Sequence, residues 1–297
     1  MAALLRSASG AGPTLRERFE AGEMVLAPGC YDALGARLIE EAGFSAAYMT
    51  GFGSTASRLG RPDVGLMTQS EMVDNARRIA DAVDIPVIAD ADTGYGNSIN
   101  VIRTVREYES AGVAAIHLED QVTPKKCGHM DGKQLVPAGE MAAKVSAAVA
   151  ARRSDELLII ARTDARAVEG LDAALQRARI YRDAGADVLF VEAPQSEAEI
   201  EAVARAFGDV PLLFNYAEGG KTPAVSYGFL RELGFKLVIF PLTILLSATA
   251  AIRSALARVK ADGTPIELVP SLLGFDDFLE FIGMDEIRDL ERRFAER

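Results

Sequence analysis

The sequence is poor in the side chains that build zinc sites and disulfide frameworks. Its 297 residues include no Trp, two His and two Cys. These residues, His117, His129, Cys30 and Cys127, are too few for a multi-ligand zinc site or a disulfide framework. We therefore expect a protein of a reducing compartment, in which any metal ion has oxygen ligands of the kind that Mg²⁺ prefers.

Positive charge is also scarce. The chain has 32 Lys and Arg against 43 Asp and Glu, a net charge of −11, which would repel nucleic acid and anionic lipid alike. Residues 1–22 contain no apolar run of signal-peptide length, and the most apolar segment, residues 237–252, is interrupted by polar residues and is too short to span a bilayer. We therefore expect a cytoplasmic protein that binds neither nucleic acid nor membrane.

The chain alternates short apolar runs with longer helical segments. Eight Val-, Ile- and Leu-rich runs are each followed by a segment of helical periodicity, and this pattern is typical of a parallel sheet with helices on its outer face. Eight such units predict an α/β protein of the (β/α)₈ barrel type, formed as a single domain over residues 1–297 with residues 266–297 as a C-terminal helical extension. A doubly wound sheet is the alternative, but no Gly-x-Gly-x-x-Gly turn follows the first strand. The predicted strands are residues 24–27, 46–50, 87–89, 114–118, 157–161, 188–191, 212–214 and 237–240.

Acidic residues follow several of the predicted strands. In a (β/α)₈ barrel the carboxyl ends of the strands meet at one rim, so Asp90, Asp92, Glu119 and Glu192 should converge there. Carboxylates this close raise one another's pKa unless a cation is present, which favours a Mg²⁺ site. The alternative is that these acids cap helices or pair with Arg162. No lysine ends a strand, which disfavours Schiff-base chemistry.

The segment Lys125-Lys-Cys-Gly-His129 lies in the long loop that follows the fourth predicted strand. Two neighbouring lysines and a histidine are expected to lower the pKa of the Cys127 thiol, and Gly128 lets the loop bend over a ligand. We predict a mobile loop that brings an acidic group to the site and excludes water. The alternative is a solvated basic loop with an incidental cysteine.

Two further residues, His117 and Tyr48, have ambiguous roles. His117, on the same strand as Glu119, is expected to support the site rather than to act as a catalyst. Tyr48 ends the second strand, where its hydroxyl group either packs against the core or exchanges a proton with a substrate.

Several motifs resemble those of the isocitrate lyase and phosphoenolpyruvate mutase superfamily, over nearly the whole chain. They are Asp90-Ala-Asp-Thr-Gly-Tyr-Gly96, Glu119-Asp-Gln121, Ala161-Arg-Thr-Asp164, Glu218-Gly-Gly-Lys-Thr-Pro223 and above all Lys125-Lys-Cys-Gly-His129. The resemblance implies a swapped-helix barrel, usually a homotetramer, that binds Mg²⁺, with Mn²⁺ as a substitute, and a small di- or tricarboxylate substrate.

The resemblance also implies roles for individual residues. Asp90 would be the direct metal ligand, and Asp92 and Glu119 would hold metal-bound water. Cys127 would be the general acid, with Tyr48 and Glu192 as further catalytic residues. The residues implied to bind substrate are Thr50, Gly51, Phe52, Lys125, Gly128, His129, Arg162, Asn215 and Thr222.

The resemblance leaves the substrate open. The run His129-Met-Asp-Gly-Lys133 is similar to the branch of dimethylmalate lyases and carboxyphosphonoenolpyruvate mutases, and it lacks the arginine after His129 that is typical of methylisocitrate lyases. We expect a lyase that cleaves a 2-hydroxydicarboxylate through a pyruvate enolate, with a tyrosine or a carboxylate as base, to release pyruvate. The alternatives are an oxaloacetate hydrolase or decarboxylase and a carboxyphosphonoenolpyruvate phosphonomutase. The substituent that the substrate carries should depend on packing around Phe52, Phe214 and Leu242.

Overall fold

The structure is a computed structural model that describes residues 12–295, and these residues form two compact units, 12–245 and 246–295. The first unit contains eight parallel strands in a closed barrel, in which each strand pairs with its neighbours in the sequence and the last pairs with the first. The predicted (β/α)₈ barrel is therefore confirmed. The strands are β1 (Val25–Cys30), β2 (Ala47–Met49), β3 (Val87–Asp90), β4 (Ala115–Glu119), β5 (Leu158–Thr163), β6 (Val188–Val191), β7 (Leu212–Asn215) and β8 (Leu237–Phe240).

Helices follow the strands along the chain, and several of them begin at a polar residue whose side chain caps the helix. Thr68 and Glu71 form a capping box at the start of α4, and the Asn97 side chain accepts hydrogen bonds from two amides of α5. The helices are α1 (Leu15–Glu20), α2 (Ala33–Glu41), α3 (Gly51–Leu59), α4 (Gln69–Ala82), α5 (Ser98–Ser110), α6 (Ala138–Ala151), α7 (Ala165–Val168), α8 (Leu171–Asp183), α9 (Glu197–Ala206), α10 (Tyr227–Glu232), α11 (Thr243–Asp262), α12 (Phe275–Phe281) and α13 (Met284–Phe294).

The strands bury side chains on both faces, which explains their unbroken apolar sequences. One cluster lies inside the barrel and includes Val25, Ile88 and Phe190, whereas a larger cluster that includes Met49, Ile116 and Leu189 packs between the strands and the surrounding helices. Both layers hold the strand ends rigid, so that a side chain on a strand end has a fixed position at the rim.

The structure adds α3 to the predicted elements. The sequence pattern did not predict a helix directly after the second strand, yet one begins at Gly51, directly after Thr50. Its sequence, GFGSTASRL, is rich in Gly, Ser and Thr, which are poor or moderate helix formers, so the pattern does not predict a helix. The Thr50 hydroxyl group accepts a hydrogen bond from the Gly53 amide and caps the helix. The start of α3 therefore forms part of the rim.

The second unit, residues 246–295, contains most of α11, a 3₁₀ helix over Ile266–Ser271, and helices α12 and α13. Large apolar side chains are exposed along it, among them Leu256, Ile266, Leu273, Phe275 and Phe294. The single-domain organisation with an extension at 266–297 and the exchange of helices between subunits both stay predictions, and residues 296–297 lie outside the described range. Within the described residues, no helix is long and apolar enough to cross a membrane.

Candidate active site

Three of the predicted acidic residues meet at the ends of β3 and β4. The Asp92 amide donates to Asp90 Oδ1 at 2.9 Å, and the Glu119 amide donates to the Asp92 carbonyl oxygen at 2.9 Å. All three side chains are buried. Asp92 has a φ of 47°, a conformation that Asp adopts more readily than most residues. The turn after β3 therefore directs two carboxylates to the same rim.

Lys125 reaches into this group of acids from the long loop 120–137. Its ammonium nitrogen lies 2.7 Å from Asp63 Oδ2 and 2.9 Å from Asp92 Oδ1. Sequence reasoning missed Asp63, because it lies in a polar loop after α3 with no strand end or motif to mark it. We call Asp63, Asp90, Asp92, Glu119 and Lys125 the acidic half of the site.

The acidic half holds more negative than positive charge, and the pKa values reflect this. Burial together with the neighbouring Asp90 carboxylate raises the pKa of Asp92 to about 6, although Lys125 opposes the shift. Burial would lower the pKa of Lys125, but Asp92 and Asp63 outweigh it and raise that pKa well above its usual value. Lys125 is therefore a permanent cation that neutralises only part of the charge.

The acidic half fits a hard cation that is bound largely through water. Both carboxylate oxygens of Glu119 are buried without a hydrogen-bond partner, and Asp92 Oδ1 faces Lys125 without hydrogen-bond geometry. Within residues 12–295, no three His, Cys, Asp or Glu side chains are grouped so that they could hold one ion together. A Mg²⁺ ion with one or two carboxylate ligands and several water molecules matches these features, whereas a tetrahedral zinc site does not.

The amino terminus of α3 forms the wall beside the acidic half. A Cβ atom on Gly51 would lie 2.2 Å from Asp90 Oδ2, so only glycine lets the helix start this close to the carboxylate. The first amides of a helix lack partners within the helix and carry partial positive charge. Thr50, Gly51 and Phe52 therefore present hydrogen-bond donors to negatively charged oxygen atoms at the rim.

The other side of the rim is built around Arg162 on β5. Asp164 accepts from Arg162 Nε at 3.0 Å and from Nη2 at 3.1 Å, and Glu119 Oε2 lies 3.4 Å from Nη1. The guanidinium carbon lies 5.1 Å from the centre of the Phe190 ring. These contacts fix the plane of a buried guanidinium group, which is the geometry that suits a carboxylate ligand.

Glu192, Asn215 and His129 lie beside Arg162. Asn215 donates to both Glu192 oxygens at 3.2 Å, and His129 Nε2 lies 3.0 Å from Glu192 Oε1. Burial would raise the pKa of Glu192, but Arg162 and His129 lower it to about 2. We call Arg162, Asp164, Glu192, Asn215 and His129 the arginine half of the site.

The contacts of His129 assign its tautomer. The Lys221 amide donates to His129 Nδ1 at 3.1 Å, so Nδ1 carries the lone pair and the proton is on Nε2. His129 Nε2 and Asn215 Oδ1 are buried without hydrogen-bond partners. His129 thus directs a donor into the site.

Tyr48 and His117 form a buried pair between the two halves. The Tyr48 hydroxyl oxygen lies 2.8 Å from His117 Nε2, and that nitrogen lies 3.5 Å from Asp90 Oδ1. Burial, reinforced by Asp90, raises the pKa of Tyr48 well above its usual value, and burial lowers the pKa of His117 to about 4. At neutral pH the pair is therefore a neutral phenol held by a neutral imidazole.

The loop 120–137 lies over the rim and holds Cys127 above the cavity. The expectation of a lowered thiol pKa was wrong, because burial raises the pKa of Cys127. The adjacent lysines face elsewhere in space: Lys125 contacts Asp63 and Asp92, and Lys126 Nζ donates to the Asp131 carbonyl oxygen. The thiol is therefore protonated at neutral pH, which is the form that a general acid requires.

Most of the predicted site residues line one small cavity of about 50 Å³. Thr222 lines a neighbouring cavity instead, with its hydroxyl group buried and unpartnered. Phe214, which we expected near the substrate, packs against Phe235 and Tyr216 in the core. The cavity is lined by Tyr48, Thr50, Phe52, Asp63, Asp90, Lys125, Cys127, Gly128, His129, Arg162, Glu192, Asn215, Ala217, Pro241 and Leu242.

Comparisons with known proteins place this chain in a family. Residues 15–260 match the family model described as phosphoenolpyruvate phosphomutase. The chain is 46% identical over 281 residues to a 2,3-dimethylmalate lyase of Eubacterium barkeri, covering 95% of this chain and 97% of the relative. It is also 46% identical over 285 residues to a 2-methylisocitrate lyase of Aeropyrum pernix, covering 96% of this chain and 90% of the relative.

A solved structure agrees with this placement. The structure of an oxaloacetate acetylhydrolase in complex with 3,3-difluorooxalacetate is 39% identical, has a TM-score of 0.89, and the alignment covers 96% of this chain and 97% of that chain. The barrel, the acidic strand ends and the cysteine loop are thus found in a chain whose relatives are enzymes that act on small carboxylates. This chain is an enzyme that belongs to the phosphoenolpyruvate phosphomutase family, within the isocitrate lyase and phosphoenolpyruvate mutase superfamily.

Proposed function

We propose that this enzyme is a Mg²⁺-dependent carbon–carbon lyase that cleaves a 2-hydroxydicarboxylate the size of 2,3-dimethylmalate and releases pyruvate. The observation that carries the proposal is the partly buried, protonated thiol of Cys127, which lies over a cavity between the acidic half and the arginine half. One half suits a cation, the other suits a carboxylate, and the thiol can deliver a proton between them.

The acidic half is the proposed metal site, with Asp90 as direct ligand and Asp92 and Glu119 as partners of bound water. When bound, Mg²⁺, or Mn²⁺ in its place, would neutralise these carboxylates and polarise the oxygen atoms of the oxo-acid end of the substrate. The Glu119 carboxylate supports this assignment, because neither of its buried oxygens accepts a hydrogen bond and its charge contact is with Arg162 Nη1, at 3.4 Å from Oε2.

The substrate is held at both ends in this proposal. The amides at Gly51 and Phe52, the Thr50 hydroxyl group and Arg162 bind the oxo-acid carboxylate, since the start of α3 presents donors beside the acidic half and Arg162 presents donors from the arginine half. The far carboxylate binds to Gly128, to the Nε2 proton of His129 and to Asn215. Lys125 stays with the acidic half rather than with the substrate, and Thr222 borders the far end from the neighbouring cavity.

Cleavage proceeds without any oxidant or reductant. The substrate 2-hydroxyl group loses its proton to a carboxylate of the rim, while Tyr48, a neutral phenol fixed by His117, orients that oxygen. The C2–C3 bond breaks as C2 becomes the carbonyl carbon of pyruvate, and the electron pair moves into the departing fragment. The enolate-like charge therefore belongs to the departing carboxylate rather than to pyruvate. Cys127 then protonates its carbon atom and leaves a thiolate, which is reprotonated before the next cycle.

The cavity favours an apolar substituent over a third carboxylate. Four uncharged side chains, Phe52, Ala217, Pro241 and Leu242, line the cavity, and Lys125 and Arg162, which also line it, already contact carboxylates. A charged group placed there would lose its hydration without gaining a partner. This composition supports a methylated malate over a tricarboxylate.

A panel of acids read by pyruvate release tests the proposal. We expect turnover of 2,3-dimethylmalate in the presence of Mg²⁺, loss of turnover with EDTA, and recovery when Mg²⁺ or Mn²⁺ is added back. 2-Methylmalate and 2-methylisocitrate are the matched comparisons for the missing 3-methyl group and for the added carboxylate, because both would also release pyruvate on C2–C3 cleavage. Pyruvate release that persists in EDTA, or faster cleavage of the tricarboxylate, would contradict the proposal.

Oxaloacetate hydrolysis is the second candidate, because the chain closely resembles in fold a solved oxaloacetate acetylhydrolase. It would use the same metal and carboxylate contacts but would yield oxalate and acetate, so adding oxaloacetate to the panel and measuring oxalate separates the two activities. The mutase alternative would instead form a carbon–phosphorus bond that phosphorus NMR detects. A homotetramer in the cytoplasm remains our proposal for the assembled enzyme, and sedimentation analysis measures its size.

A further inference from the structure

Lys133 is a buried lysine that does not line the cavity of the active site. It belongs to the same loop, 120–137, as Cys127, and its side chain is 2% exposed. Lysine is almost never fully buried unless it is paired. Here the ammonium group donates to the Gly128 carbonyl oxygen and lies 3.0 Å from Asp164 Oδ1.

Asp164 is a rigid partner for this ammonium group. Its carboxylate is fully buried and also holds Arg162 through two hydrogen bonds. Its amide donates to Asp120 Oδ1 at 2.9 Å, and the Asp120 carboxylate in turn accepts from the hydroxyl groups of Thr163 and Tyr181, both at 2.7 Å. Asp164 therefore belongs to the fixed frame of the barrel rather than to the loop.

Gly128, the other partner of Lys133, sits directly on the rim. A Cβ atom at this position would lie 2.3 Å from Glu192 Oε1 and 2.4 Å from Arg162 Nη2. The residue before it is Cys127. A contact that holds the Gly128 carbonyl group therefore also sets the distance between the thiol and the arginine half.

The loop also has an exposed ion pair, which serves for comparison. Lys221 Nζ lies 2.6 Å from Asp131 Oδ1, and the two side chains are 37% and 93% exposed. Exposed pairs of this kind contribute little because water and salt screen them. The buried pair of Lys133 is not screened in this way.

We propose that Lys133 is a positioning residue. Its ammonium group joins the Gly128 carbonyl group to the Asp164 carboxylate and so fixes the position of the Cys127 thiol relative to Arg162. One carboxylate, that of Asp164, then orients both the arginine that binds substrate and the loop that carries the acid. Lys133 touches neither substrate nor metal in this arrangement. The positioning of the loop does not depend on which acid is cleaved, although its effect on turnover rests on the proposed lyase function.

The alkylation rate of Cys127 by iodoacetamide measures this positioning in the full-length protein, with Mg²⁺ and oxalate as the probe ligand. Cys30 is an internal reference in mass spectrometry, because it is fully buried and its pKa is raised to about 12. Lys133→Met should raise the alkylation rate of Cys127 about tenfold or more, because removing one partner of a buried ion pair leaves the other uncompensated. Lys133→Arg should restore part of the protection.

Asp131→Asn is the matched control, since it removes the exposed ion pair of the same loop. In this variant the alkylation rate of Cys127 should stay within about twofold of the parent value. Equal rates in folded Lys133→Met and the parent protein would overturn the proposal, as would an equal rise in Asp131→Asn. If Lys133→Met does not fold, faster hydrogen exchange over residues 120–137 in Lys133→Arg than in Asp131→Asn supports the proposal, and equal exchange overturns it.

Turnover separates this inference from the proposed function. Lys133→Met should lower kcat for pyruvate release by a larger factor than it raises KM, because loss of Lys133 displaces the thiol, whereas Lys133 acts on substrate only through Gly128 and Asp164. If no 2-hydroxydicarboxylate yields pyruvate, the lyase proposal fails while the alkylation result still decides the role of Lys133. If pyruvate is released but alkylation is unchanged in Lys133→Met, only the role of Lys133 is refuted.

Discussion

The acidic half and the arginine half of the rim are built from the same kinds of residue, but their charge balance differs. Four carboxylates surround one ammonium group in the acidic half, and neither Glu119 oxygen accepts a hydrogen bond. In the arginine half, Arg162 is paired with Asp164, and Glu192 accepts from Asn215. The acidic half therefore attracts a cation, whereas the arginine half offers directed donors to an anion.

One loop closes over both halves and is tied to each by a buried lysine. Lys125 contacts Asp63 and Asp92 in the acidic half, and Lys133 contacts Asp164 in the arginine half. The residues between the two lysines include Cys127, so the thiol is held over the boundary. Because the two halves and the thiol are built from different residues, we expect that separate substitutions can disturb metal binding, substrate binding and proton delivery.

The largest effect is expected for Cys127→Ser, which should leave both halves intact. A serine hydroxyl group is a far weaker acid than a thiol, and general acid catalysis contributes a factor of about 10²–10⁴ to rate. Turnover should fall by about a thousandfold, whereas the affinity for oxalate with Mg²⁺, measured by calorimetry, should be unchanged.

Cys30→Ala is the control for the thiol substitution. Cys30 is the other cysteine, lies in β1 and donates to the Tyr48 carbonyl oxygen over 3.6 Å. This variant should keep most of its turnover. Full activity in Cys127→Ser would show that the proton comes from another group.

Gly51→Ala should disturb the acidic half selectively. The added methyl group would lie 2.2 Å from Asp90 Oδ2, so either the carboxylate or the start of α3 must move. Displacement of a ligand by about 1 Å can reduce rate by about a hundredfold, and we expect a loss of this size together with a higher Mg²⁺ requirement. A Mg²⁺ titration of pyruvate release measures both.

Gly139→Ala is the matched control in α6, where nothing lies within 4 Å of the added methyl group. It should keep the Mg²⁺ requirement of the parent and leave stability equal or slightly higher, since Ala favours helix over Gly by up to about 1 kcal/mol. The same Mg²⁺ requirement in Gly51→Ala and the parent would remove Asp90 from the proposed metal site.

Arg162→Lys should disturb the arginine half. Lysine keeps the charge but cannot make the two parallel hydrogen bonds of a guanidinium group, and a charge-assisted hydrogen bond contributes about 1.5–3 kcal/mol. We expect a rise in KM of about tenfold to a hundredfold, with the Mg²⁺ requirement unchanged.

Arg166→Lys provides the comparison for this substitution. Arg166 pairs with Glu199 through two hydrogen bonds at 2.8 and 2.6 Å, on the partly exposed helix α7. KM should stay within about twofold of the parent value in this variant. If both variants raised KM equally, the effect of Arg162→Lys could not be assigned to carboxylate binding.

The smallest effect concerns the pH dependence of Cys127 in the closed site. Burial raises the pKa of this thiol, and only the thiolate is alkylated. The alkylation rate should therefore reach its plateau at a higher pH than that of a free cysteine, whose pKa is about 8.5. A plateau at lower pH than that of N-acetylcysteine, measured in parallel, would contradict the raised pKa.

The sequence predicted the barrel and the convergence of its acids because both follow from local patterns. Apolar runs alternate with helices eight times, and parallel strands place residues such as Asp90 and Glu119 at the same end. Residues outside that pattern were not predicted. Asp63 contacts Lys125 across 62 positions, and Lys133 contacts Asp164 across 31, separations that carry no periodic signal.

The protonation of Cys127 shows where reasoning from neighbours in sequence fails. Adjacent lysines favour a lowered thiol pKa, but in the folded chain those side chains contact acids and a carbonyl oxygen instead. Burial then decides the direction of the shift. Likewise, Phe214 adjoins Asn215 in the chain but faces the core, because successive side chains of a strand point to opposite sides.

The sequence alone determined which chemical groups this enzyme has and which end of the barrel they occupy, because strand order and alternation are encoded locally. The tertiary structure decided which acid pairs with which base, where each of the two loop lysines is anchored, and that the thiol keeps its proton. The physical reason is that electrostatic energies depend on distance and on exclusion of water, and the folded chain sets both.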